Sequence, residues 1–123
     1  TQATSSNWTA VTYGNGRFVA VASNGTTLDQ IMSSTDGGVT WATTTSPSAR
    51  TWQSVTYGNN TFVAVANNGT TANDVMYSND GINWSSASLT GIPAANAWTS
   101  VTYGNGLFVA IASNGTTAND VMT

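Results

Sequence analysis

One unit occurs three times in tandem, and this restricts the fold more than any other feature of the chain. The copies begin at Trp8, Trp52 and Trp98, offset by 44 and then 46 residues, and read WTAVTYGNGRFVAVASNGTTLDQIM, WQSVTYGNNTFVAVANNGTTANDVM and WTSVTYGNGLFVAIASNGTTANDVM. A chain of this kind folds as a row of equivalent supersecondary units, each needing its neighbours to bury its apolar surface.

Apolar residues alternate or run in short stretches bounded by Gly and Asn, which is strand spacing and not helix spacing. Four strands per unit are expected, at Trp8–Tyr13, Arg17–Ser23, Asp29–Ser34 and Val39–Thr45 in the first copy. Gly14-Asn15-Gly16 joins the first two as a hairpin, since Asn and Gly tolerate the positive φ of a tight turn. Thr35-Asp36-Gly37-Gly38 joins the last two. In the second strand Phe18, Ala20 and Ala22 face one way and Val19 and Val21 the other, so both faces of the sheet are apolar and both must be covered. An all-β chain of four-stranded antiparallel sheets with two apolar faces, repeated in tandem, reads as β-propeller blades, about three per chain, with a solenoid or a sandwich as the alternatives.

Composition narrows the chemistry. Thr, Ser, Asn and Gly supply 62 of the 123 residues, all five acids are Asp, both bases are Arg, and His, Cys, Lys and Glu are absent. Most proton-transfer catalysis and thiolate metal sites therefore have no residues to perform them, and no cofactor is expected. A net charge of −3 offers no basic footprint for nucleic acid. The longest strongly apolar runs, such as Phe18 to Ala22, fall far short of the roughly 20 residues a membrane-spanning helix needs. An extracellular or secreted location is expected.

The stretch Ser34-Thr35-Asp36-Gly37-Gly38-Val39-Thr40-Trp41 resembles the Asp-box, Ser-x-Asp-x-Gly-x-Thr-Trp, of the bacterial neuraminidase repeat, with Ser34, Asp36, Gly38 and Trp41 at its named positions. A second, one residue shorter, keeps Ser78, Asp80, Gly81 and Trp84. The resemblance implies propeller blades in which this box forms the turn between the third and fourth strands, a structural role. It implies little about activity, because sialidases, sorting receptors and photosystem assembly factors share such blades. A sialidase would need an Arg cluster and a Tyr paired with Glu; with no Glu and two unrepeated Arg, a non-enzymatic role is expected.

The strand count divides the chain into residues 1–7, a partial outer strand; 8–51, the first blade; 52–97, the second; and 98–123, a third without its fourth strand. Three blades do not close a ring, and an open arc would expose two apolar faces. A homodimer of six blades or a homotrimer of nine would cover them, with residues 1–7 completing the third blade of the next chain. The alternative is a fragment of a longer propeller, natural or engineered.

Binding is expected on the long loops between second and third strands, whose Asn24, Thr26 and Asp29, Asn68, Thr70 and Asp74, and Asn114, Thr116 and Asp120 suit polar ligands such as the hydroxyls of a glycan. Asp29, Asp74 and Asp120 read as one recurring position, either a rim of carboxylates or caps on local turns. No metal site is expected, one Asp per blade being thin provision for calcium. The five Trp read as packing between blades, and Arg17 and Arg50, which do not recur, as solvated charges.

Overall fold

The computed structural model describes residues 6–24, 27–67, 74–87, 97–113 and 121–123. These form eleven strands and no helix: β1 Trp8–Gly14, β2 Arg17–Ala22, β3 Ile31–Ser34, β4 Ala42–Thr44, β5 Trp52–Gly58, β6 Thr61–Ala66, β7 Val75–Ser78, β8 Ser85–Ser86, β9 Trp98–Gly104, β10 Leu107–Ala112 and β11 Val121–Met122. They make three antiparallel sheets in the orders β1-β2-β3-β4, β5-β6-β7-β8 and β9-β10-β11. This is the expected blade meander, and the first strands β1, β5 and β9 carry most of the contact between neighbouring sheets.

Local chemistry sets the hairpins. Asn15 and Gly16 have φ of 50° and 70°, Asn59 and Asn60 46° and 57°, and Asn105 and Gly106 50° and 84°. Two consecutive positive values match the right-handed twist of the strands they join, and Asn is among the few residues with a Cβ that adopts them readily. The turns lock registers such as Tyr13 opposite Phe18 and Val11 opposite Ala20.

The first two strands match expectation to within one residue at their ends, and the third and fourth depart further. The third strand starts at Ile31 and leaves Asp29 and Gln30 in the loop, and the fourth is confined to Ala42–Thr44. The turn around Asp36 uses Val39 and Thr40, with Thr40 N–H bonded to the carboxylate, so neither is available to the ladder.

The cores lie between the sheets. Val19, Val21 and Ile31 on one face of the first blade bury Trp52, Val55, Phe62, Ala64, Ala66 and Met76 on the opposite face of the second. The pattern then steps along the chain: Val65 and Val75 of the second blade bury Trp98, Val101 and Ala110 of the third. Of the five Trp, Trp52 and Trp98 lie fully inside these seams, as their repeated positions led us to expect.

Candidate functional site

The β2–β3 and β4–β5 connections of the first blade meet on one edge of the arc. Ser46 ties them together, its N–H and hydroxyl donating to the Leu28 carbonyl at 2.8 Å and 3.1 Å. Gln30 is fully buried there and grips the next linker, its Oε1 accepting the Arg50 N–H at 2.9 Å while its Nε2 donates to the Arg50 carbonyl. From that clamp the Arg50 side chain crosses to the second blade, where Nε lies 3.3 Å from Oδ1 of buried Asp74. A buried carboxylate needs a partner of this kind to stay charged.

This geometry corrects three expectations. Asp29 and Asp74 do not share a position: the backbone pairs Ala22 with Gln30 and Ala66 with Asp74, so Gln30 is the counterpart of Asp74, and Asp29 is exposed one residue earlier. No rim of equivalent carboxylates includes both. Asp74 faces a charge on another blade, and Arg50, expected in solvent, is that charge. Arg17 is likewise part-buried, donating to Ser33 Oγ at 2.9 Å, and its stem lies against the Gly81 turn of the second blade. Asn24 is engaged at the mouth of the same edge, accepting from Asn7 N–H at 2.8 Å and donating to Ser6 Oγ at 3.2 Å. Thr26, Asn68, Thr70, Asn114, Thr116 and Asp120 lie outside the described residues, as does most of the expected outer strand at 1–7.

On the opposite edge the two Ser-x-Asp turns are built alike. Ser34 Oγ donates to Asp36 at 2.8 Å and accepts from Gly38 N–H at 2.9 Å, while Asp36 accepts from Thr40 N–H at 2.9 Å. Trp41 Nε1 closes the loop on the Gly38 carbonyl at 2.9 Å. In the second turn Asp80 accepts from the N–H groups of Ile82 and Asn83, both at 2.8 Å, and from the Asn83 amide at 2.7 Å. The glycines hold positive φ, 77° at Gly37, 87° at Gly38 and 71° at Gly81. Bonds from Thr40 hold the Asp36 carboxyl, and bonds from Asn83 and Ile82 the Asp80 carboxyl, well below the usual carboxylate range. Both carboxylates are thereby committed to their own turns. Among the described residues no group of three acidic, His or Cys side chains comes together as metal ligands would.

Sequence reasoning missed the interblade clamp of Gln30, Arg50 and Asp74. The 44-residue offset, applied strictly, sets Asp74 against Gln30 and so separates Asp74 from Asp29, but it carries no signal for the Arg50 contacts.

The alternating meander, the two interblade seams and the shared loop edge define the chain as a β-propeller arc. Among solved structures it is similar to YCF48 bound to D1 peptide, with a TM-score of 0.64 and 19% identity over 87% of this chain and 34% of that one. The chain thus spans about a third of that structure's length, and the likeness is one of fold. The computationally designed Ika4 protein matches at a TM-score of 0.47 and 13% identity, over 98% of this chain and 92% of that one. No family model matches the chain, and no curated protein does.

Proposed function

We propose that the chain is a non-enzymatic interaction module, a propeller arc that joins further blades into a closed ring and offers its loop edge to polar ligands, glycans or peptide segments. The observation that carries this reading is that the outer faces of the first and third blades are apolar and exposed, with Val11, Tyr13, Leu107, Ile111 and Val121 in water. Such faces are built to be covered. The clamp of Gln30, Arg50 and Asp74 supports the second half, because it makes the loop edge a rigid platform on which Asp29 stands exposed. The peptide bound to YCF48 adds protein segments to the ligands worth testing. A non-enzymatic role is favoured by the commitments of the acids: Asp36 and Asp80 serve their turns and Asp74 pairs with Arg50. The two Ser-x-Asp turns also favour kinship with the Asp-box repeats.

The test has two arms. Light scattering on the purified chain is expected to give a mass above 12.6 kDa. A glycan array and an immobilised peptide set, probed with that assembly, are expected to yield a ligand whose binding weakens in Asp29→Asn. An assembly that binds nothing on either surface would leave a purely structural module. Turnover of a sialoside by pure protein would overturn the non-enzymatic reading.

A further inference from the structure

The two seams inside the chain are made from the same pair of faces, and the arc ends on one of each. On the first seam Val21 and Ile31 pack against Trp52, Val55, Ala64 and Met76. On the second the residues 44 positions later, Val65 and Val75, pack against Trp98, Val101 and Ala110, with Met122 beside them. Continuing the series, the outer face of the third blade presents Ile111 and Val121, and the outer face of the first presents Trp8, Val11, Ala20 and Met32. The exposures show what these ends lack. Val55 and Val101 are 7% and 6% exposed, whereas Val11 is 60% exposed; Ile31 and Val75 are 0% and 5%, whereas Val121 is 60%. Trp8, Val11, Ala20, Met32 and Trp41 line an apolar recess of about 360 Å³ on the first of these faces. The pair Ile111 and Val121 has the same summed side-chain volume as Val21 and Ile31, so the outer face of the third blade matches what fills the equivalent position on the first seam.

A second element repeats with the faces. Each unit carries a Tyr-Gly pair at the end of its first strand: Tyr13-Gly14, Tyr57-Gly58 and Tyr103-Gly104. The ring of Tyr57 occupies the place where a Cβ on Gly14 would stand, 2.0 Å from its Cγ, and the ring of Tyr103 does the same at Gly58, at 2.1 Å. Glycine is needed there to admit the next blade's tyrosine. At the two ends this lock is half made. Tyr13 is 59% exposed, and a Cβ on Gly104 would meet nothing within 4 Å among the described residues.

We propose that a second copy of this chain covers both ends: the Ile111 and Val121 face of one copy packs on the Trp8 and Val11 face of the next, and Tyr13 of that next copy lies over Gly104. This rests on the closed-ring reading above and names its partner. Both halves of the seam are present on the chain itself, one on each outer face, and Leu107 stands where Arg17 stands in the first blade, so that position of the third blade's outer face carries no charge to desolvate. The contact is heterologous, so it closes when the blade rotation completes a turn. Six blades from two copies is the expected ring.

Light scattering of the whole chain should therefore give twice 12.6 kDa; three times that mass supports the same seam in a nine-bladed ring. A Cβ at Gly104 meets nothing within 4 Å among the described residues, so Gly104→Val sets a branched side chain in the open place where the neighbour's Tyr13 must lie, and Tyr13→Ala removes the ring. Each is expected to reduce the mass to that of one chain while the circular dichroism of the blades persists. Because the chain has no Cys, the double variant Tyr13→Cys, Gly104→Cys gives an unambiguous second readout. On the internal seams the Tyr ring stands directly on the glycine, with Cγ of Tyr57 2.0 Å from an added Cβ at Gly14, so two Cys at these positions meet across the seam and join once the copies part by the roughly 1 Å that a disulfide's Cβ spacing of about 3.5–4.5 Å requires. Non-reducing electrophoresis should show covalent multimers that collapse on reduction. A wild-type chain that stays at 12.6 kDa overturns the closed ring and this seam with it. A wild-type oligomer whose mass survives both single variants and whose double variant forms no cross-link overturns the seam alone.

Discussion

Replacing Gly58 with Ala isolates the contact on which the blade seams turn. The new Cβ would lie 2.1 Å, 2.2 Å and 2.6 Å from Cγ, Cδ1 and Cδ2 of Tyr103. Ordinary carbon contacts need about 3.5–4.0 Å, so the ring must retreat by roughly 1.5 Å. It has little room, since Tyr103 already packs on Phe108 with ring centroids 4.8 Å apart. Overpacking of this kind costs about 1–3 kcal/mol, and disturbing the aromatic pair adds about 0.5–1.5 kcal/mol. Against this, Ala restricts the unfolded chain more than Gly and returns about 0.4–1 kcal/mol. The net is a loss of about 2–3 kcal/mol, which for a chain of this size lowers the melting temperature by roughly 10 °C. Gly104→Ala is the matched control, because it makes the same change in the same Tyr-Gly-Asn context where a Cβ meets nothing within 4 Å among the described residues. Both substitutions are measured by thermal and urea unfolding in a Tyr13→Ala background, which empties the proposed contact between copies. Gly58→Ala should melt far below its parent and Gly104→Ala at or slightly above it. Equal shifts for the two would refute the steric argument.

The Ser-x-Asp turns make stability depend on acid. Because the folded-state pKa values of Asp36 and Asp80 are depressed, their contribution is complete above the ordinary carboxylate value of about 4 and is lost as pH falls below it. Melting temperature should therefore drop steeply between about pH 4 and 2, and less steeply in Asp36→Asn and Asp80→Asn; acid limbs parallel to wild type would count against the turn bonds. At the interblade clamp, Asp74→Asn removes the charge that Arg50 faces across the blades, and losing one partner of a buried pair costs about 3–5 kcal/mol. The lower end is expected because the Arg50 side chain remains 18% exposed, and urea unfolding that leaves stability unchanged would show that the pair does not join the blades.

The fold was legible in the residues wherever the deciding contacts are close in the chain. Asn15-Gly16 and Asn105-Gly106 announce their hairpins because positive φ is a property of a residue and its neighbours. The turn from Ser34 to Trp41 could be read whole, since Ser, Asp, Gly and Thr bond one another within it. The loop edge was legible only in part. Asp29 was grouped with Asp74 by type, yet Gln30 occupies the equivalent place and Asp74 answers to Arg50, 24 residues back along the chain.

By itself, then, the sequence determined how many blades there are, where they turn and that both faces of each are apolar, because strand alternation and turn φ are local. Only the tertiary structure decided which face meets which, that Tyr57 and Tyr103 seat on the glycines of the preceding blade, and that Arg50 spans two blades. Those contacts join residues from different repeats, and their geometry is set by how whole sheets stack, which no short window of residues encodes.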